Sequence, residues 1–181
     1  MNGYLYRSGN QIESTHNLRL SFTIDRAFRP IAAADYQPTF DGKKFNVSII
    51  AFAHGSEFVM IHAEMHTDGS GGLDYSKFVK TELNKVPFTS REQCAEIDAQ
   101  TINEEHDLKL LSDGGFSSTP AIWLKQYYAT SSDGTSEVVV SFGHRLRSCS
   151  DKDLTAAAKS SFDRRARMSI IVSKRKIRTK D

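Results

Sequence analysis

Few of the residues that announce a specific chemistry occur in this chain. Only two cysteines are present in 181 residues, Cys94 and Cys149. They cannot make a four-ligand zinc site of their own, and they allow at most one disulfide. Long apolar runs are absent as well. The longest, Val47 to Ala53 (broken by Ser48), falls far short of the ~20 residues of a membrane helix. Residues 1–8 lack the apolar centre of a signal peptide. The expected compartment is therefore the cytoplasm, or the periplasm or exterior if a signal peptide has been removed. No internal repeat and no low-complexity segment appears.

Catalytic signatures are missing too. The glycines of residues 67–72 lack the Lys-Ser/Thr ending of a phosphate-binding loop, and no Gly-x-Ser-x-Gly nucleophile elbow is present. Asp68 to Asp74 does not fit a calcium loop, because Leu73 stands where the sharp turn wants glycine and Val79 where a bidentate Glu belongs. Neither cysteine has the context of a nucleophile. Nothing in the sequence requires a cofactor, and an enzyme is the less favoured reading.

Charge is nearly balanced at +2 but unevenly placed. Arg164, Arg165, Arg167, Lys174, Arg175, Lys176, Arg178 and Lys180 face one acid, Asp181, giving residues 164–181 a net charge of +7 and residues 1–163 a net charge of −5. Such a basic end suits phosphate or an anionic surface. No aromatic follows Phe162, so sequence-specific reading of bases is not expected, and unspecific phosphate contact remains open.

What is present is strand patterning. Ala121 to Leu146 reads as one long β-hairpin turning at Asp133-Gly134, a pair suited to turn positions with φ > 0. That turn sets Ala129 opposite Val138, Tyr127 opposite Val140, Lys125 opposite Phe142 and Trp123 opposite His144. This face should be core, with Lys125 reaching a sheet edge or an aromatic ring. The other face carries Gln126, Thr130, Glu137, Ser141 and Arg145 among Ile122, Leu124 and Val139. A second hairpin joins Phe45–Ala53 to Glu57–His66 through Gly55. It sorts Ile50, Phe52, Val59, Ile61 and Ala63 to one face, and Val47, Ile49, Ala51, Phe58, Met60, His62, Glu64 and His66 to the other. A sheet partly apolar on both faces must be covered on both. Residues 17–25 alternate with period two and predict a half-buried strand.

Elsewhere, residues 26–44 read as a packed loop with one short helical turn at most. Asp74 predicts the cap of a helix bearing Tyr75, Phe78, Val79 and Leu83, ended by Pro87. Thr89 to Glu92 fits a capping box for a second helix carrying Cys94 and Ile97. Residues 108–111 suggest a short strand, and a helix is expected from about Asp151 to Met168. Met168 to Val172 is either a final strand or the end of that helix.

The expected fold class is α+β. A mainly antiparallel sheet is built from the two hairpins and an N-terminal strand, and two or three helices cover it. Residues 1–16 form a flexible segment, 17–172 a single domain, and 173–181 a basic tail. The order of elements is similar to that of several sandwich folds, the PsbP-like one among them, an analogy of architecture that brings no function with it.

The sharpest local feature is His62, Glu64 and His66. On a strand they share a face, but His62 and His66 lie roughly 13 Å apart, too far to share one metal ion. His62 with Glu64, or Glu64 with His66, makes half a metal or acid–base site, to be completed from a neighbouring strand or helix. The run Glu104, Glu105, His106, Asp107 has ligand chemistry, yet consecutive residues on a helix end do not converge on one ion. Cys94 and Cys149 flank the long hairpin and are a disulfide candidate. The leading expectation is a non-enzymatic binding or structural domain offering a sheet face, or a cleft under the glycine-rich loop, to a protein or small ligand. The alternatives are phosphate or nucleic-acid contact through Arg164 to Lys180, and a metal-dependent enzyme using His62, Glu64 and His66.

Overall fold

The computed structural model describes residues 3–40, 42–150 and 154–175. In chain order the elements are β1 (Leu5–Ser8), β2 (Gln11–Ser14), β3 (Leu20–Ile24), β4 (Arg29–Tyr36), β5 (Thr39–Phe40), β6 (Lys43–His54), β7 (Glu57–His66), β8 (Val79–Leu83) and β9 (Val86–Glu96). Then come α1 (Ala99–Glu104), α2 (His106–Asp113), β10 (Ala121–Thr130), β11 (Ser136–Leu146), α3 (Ala156–Ser169) and β12 (Ile170–Lys174). The strands form two antiparallel sheets. The small one has the order β1-β2-β3-β12, and the large one β4-β6-β7-β11-β10-β9-β8, with β5 paired to β6.

This corrects the expected α+β fold. The inner face of the large sheet is closed by a second sheet, not by helices alone. Ile12, Leu20, Phe22 and Ile24 of the small sheet share one core with Ile50, Phe52, Val59, Ile61, Val138, Val140 and Phe142 of the large one. Helix α3 supplies Phe162, whose ring stacks on Trp123 at 4.2 Å and leans on Phe142 at 5.2 Å. The opposite, outer face of the large sheet carries a second cluster. There Ile97, Leu111 and Phe116 pack on Phe45, Ile49, Phe58, Met60 and Ile122, with Ile102 and Leu108 alongside. The layers are thus small sheet with α3, large sheet, and α1–α2.

Both hairpins have the faces their sequence dictates. In the long one Ala129 pairs with Val138, Tyr127 with Val140, Lys125 with Phe142 and Trp123 with His144. In the other His54 pairs with Glu57 around Gly55-Ser56, where Gly55 has φ +57°. Lys125 reaches the rim of the inner face and lies 3.1 Å from both Glu92 and Asp163.

Four further expectations are corrected. The two helices proposed after Asp74 and Ser90 are the strands β8 and β9. They turn at Asn84-Lys85, both with positive φ (52° and 68°), in the two-residue hairpin geometry that matches strand twist. Pro87 does not break β9. It stands one position beyond the turn-closing pair Leu83–Val86, so its ring nitrogen faces away from β8, and β10 pairs with β9 only from Thr89 on. Residues 26–44, read as loop, hold β4 and β5. Residues 108–111 lie in α2, where Leu108 and Leu111 sit a helical turn apart and meet the sheet. The segment 1–16 contains β1 and β2.

Helix α3 starts at Ala156, capped by Thr155, whose side chain accepts from the Ala158 amide. The proposed start at Asp151 lies outside the described residues. Residues 170–174 are the strand β12. Cys94 and Cys149 lie at disulfide distance. No helix among the described residues is long and apolar enough to cross a membrane.

Candidate functional site

Period two puts His62, Glu64 and His66 of β7 on the outer face of the large sheet, the face on which α1 and α2 pack. All three are buried, at 6 %, 9 % and 2 % exposure. His62 Nδ1 is 3.2 Å from Glu64 Oε1. The His66 ring lies tilted against Phe45, with centroids 4.2 Å apart, and its Nδ1 is 3.3 Å from Ser70 Oγ in the glycine-rich loop. The completing groups that the strip needs come from elsewhere in the chain. On β11, Glu137 is the register partner of Glu64 and is 4 % exposed. From α2, Asp107 places Oδ2 3.4 Å from His62 Nε2, off hydrogen-bond geometry. Of the acidic run 104–107, only Asp107 reaches the strip in this way.

These side chains line a cleft of about 640 Å³, roofed by Gly72 and Leu73 and walled by Tyr36, Phe45, Tyr75, Tyr128 and Val139. A volume of this size suits a small organic ligand. The aromatic rings are held in place by neighbours. Tyr75 stacks on Tyr128 at 4.4 Å, and Tyr36 on His106 at 3.8 Å. The Tyr128 hydroxyl donates to Gln126 Oε1 at 2.9 Å. A smaller apolar cavity of about 330 Å³ lies alongside, between the sheet and α1–α2, and shares Gln126, Glu105 and Asp107 with the cleft.

The electrostatics follow from stacking carboxylates in a dry place. Burial raises Glu137, and the adjacent Glu64 carboxylate raises it further. Tyr75, donating to it, and His62 only partly oppose this, leaving Glu137 near 7. For His62, burial disfavours the charged ring, but Asp107, Glu64 and Glu137 outweigh it and raise the imidazole to about 9. His62 is then an imidazolium at neutral pH, serving as counter-ion to the carboxylates around it. Burial also pushes the Tyr75 hydroxyl far above its ordinary range, so it stays a donor.

Three buried atoms of this site have no hydrogen-bond partner among the described residues: His62 Nε2, His66 Nε2 and Glu137 Oε2. Each costs about 1–3 kcal/mol if left so. Among the described residues no group of three or more His, Cys, Asp or Glu side chains is placed to hold a metal ion. His62, Glu64 and His66 form a polar strip whose members have separate partners.

The basic residues go elsewhere. Arg165 pairs with Glu57 at 2.6 Å. Arg167 pairs with Asp163 at 2.8 Å and donates to the Glu82 carbonyl at 2.7 Å, tying α3 to β8. Arg175 pairs with Glu13 at 2.9 Å. Arg164 and Lys174 are exposed. Lys176, Arg178 and Lys180 lie outside the described residues.

No family model matches the chain, and neither a curated protein nor a solved structure matches it. The reading of the site therefore rests on its own geometry.

Proposed function

We propose that this protein is a binding domain for a small ligand, which sits in the cleft on the outer face of the large sheet, under the glycine-rich loop. The observation that supports this reading is the set of three unpartnered polar atoms on side chains lining one cleft, beside ordered aromatic walls. Buried polar groups are almost always satisfied, and these three line one cleft wide enough for water or a ligand group to complete them.

The test is a fragment screen against uniformly ¹⁵N-labelled protein, read by amide shift changes. Binders should perturb β7, β11 and residues 67–75. The variant Gln126→Trp, which fills the space between the two cavities, should abolish those changes while leaving the rest of the spectrum in place. A library that yields no binder at the cleft, or binders equally affected elsewhere, would overturn the proposal.

A second reading has one observation behind it. A carboxyl held near neutral pKa beside a second carboxylate and a tyrosine is the setting of a general acid or base. It requires turnover of a cleft-bound compound that Glu137→Gln removes without loss of binding.

A further inference from the structure

We infer that the cleft takes an organic cation, an ammonium group joined to a small apolar body, with the charge seated between Glu137 and the Tyr75–Tyr128 pair. This inference rests on the small-ligand reading above and names the class of ligand.

The first support is the charge inventory of the cleft. Its lining carries five carboxylates, Glu64, Glu104, Glu105, Asp107 and Glu137. Among the described residues, the basic side chains of the lining are Lys43, His62, His66 and His106. Lys43 Nζ donates to the Gly71 carbonyl at 3.2 Å, turned to the loop rather than to the carboxylates. His62 lies between Glu64 and Asp107. The lining therefore keeps an excess of negative charge, which repels carboxylate or phosphate ligands and attracts cations.

The second support is independent of charge count. In its ionised form, which a bound cation favours, Glu137 is acceptor-only, and its buried Oε2 has no partner among the described residues. The missing partner is therefore a donor, and an ammonium N–H supplies one with charge assistance. The third is the wall. Tyr75 and Tyr128 line the same cleft as this carboxylate, and an aromatic ring attracts a cation within about 6 Å of its centroid. A bare metal ion would use none of the aromatic wall, and the carboxylates and imidazoles are not grouped to chelate one among the described residues.

The experiment titrates the full chain with three near-isosteres: 2-phenylethylammonium, 2-phenylethanol and phenylacetate. Affinities come from calorimetry and the site from ¹⁵N shift changes. The ammonium should bind at the cleft at least about tenfold more tightly than the alcohol, and phenylacetate should not compete. Glu137→Gln should bring the ammonium down about tenfold, to the level of the alcohol. Tyr128→Leu gives a second reading, a loss of about threefold or more for the ammonium and little for the alcohol, should the first variant fail to fold. If the alcohol or phenylacetate binds the cleft as tightly as the ammonium, the cation inference falls and the binding reading stands. If none of the three perturbs the cleft, the cation inference falls, and the fragment screen decides the binding reading.

Discussion

The two faces of the large sheet are made by the same strands and share almost nothing else. The inner face is closely covered and mostly apolar: Val59, Ile61, Val140 and Phe142 are at 0 % exposure against the small sheet and α3. The outer face is equally buried along much of its length, yet on β7 and β11 it exchanges apolar side chains for His62, Glu64, His66 and Glu137. Period two lets one sequence hold both surfaces, because alternate residues answer to different neighbours. The difference separates two tasks. The inner face supplies stability, while the outer face carries a cluster of charges that a fold optimised for stability alone would replace.

The largest break of this comparison comes from the inner face. Phe142→Ala removes a fully buried ring that touches both Phe28 and Phe162. It should destabilise the protein by about 3–5 kcal/mol in urea unfolding. A smaller loss would mean that the small sheet and α3 settle into the space, and that the inner core is looser than its burial indicates.

The Cys94–Cys149 pair comes next and belongs to the same face, since Cys94 packs against the inner core. It closes a loop with a sequence separation of 55. In the chain-entropy view a loop of that size is worth about 4 kcal/mol. Thiol labelling of denatured, unreduced protein should find no free thiol, and reduction should lower the urea midpoint. Two free thiols in the protein from its natural source would remove this contribution and favour a reducing compartment.

The outer face has its own signature, in pH. Glu137 is raised above its unfolded value, to about 7, so the folded state holds its proton more tightly than the unfolded chain. Its contribution is full below the unfolded value and is lost as pH rises through 7. His62, raised to about 9, adds a second decline between about 6.5 and 9. The midpoint of thermal unfolding should therefore fall from pH 5 to pH 9. Glu137→Gln, which keeps the donor and acceptor shape but not the charge, should remove the first part of the fall. It should raise the melting temperature at pH 8 by roughly 3–6 °C and change it little at pH 5. An unchanged pH profile in that variant would show that Glu137 is ionised in the fold over the whole range.

Much of the sheet was legible because alternation is a local property. The long hairpin keeps its predicted register, and the faces of β6 and β7 divide as their residues dictate. The β8–β9 hairpin was not legible for an identifiable reason. Tyr75, Phe78, Val79 and Leu83 have helical spacing, but Tyr75 and Phe78 pack on Tyr128 from a loop and Val79 is 71 % exposed. The turn there is Asn84-Lys85, which lacks the glycine that usually marks positive φ. The alternation of Val86, Phe88 and Ser90, all buried, was the signal available. The site was half legible. His62 and Glu64 share a face by arithmetic alone, whereas Glu137 joins them through a pairing of β7 with β11 that no local pattern encodes. Asp107 was set aside with its acidic neighbours because such runs do not converge. The structure brings the one residue of that run to His62.

The finest test of the two-face comparison uses adjacent residues of β11. Val140 faces inward at 0 % exposure, opposite Ile61 and Tyr127; Val139 faces outward at 5 %, opposite His62 and Tyr128, and lines the cleft. Threonine has nearly the shape of valine but adds a hydroxyl, so the substitution asks only whether the neighbourhood can satisfy one. At position 140 the neighbours are hydrocarbon and ring faces, and the buried hydroxyl should cost about 1–3 kcal/mol. At position 139 the cleft offers polar partners and room for water, and Val139→Thr should change stability by less than about 0.5 kcal/mol. Equal losses at the two positions would mean that the outer face is as closed as the inner one, and that the cleft on it is packing space rather than a place for a ligand.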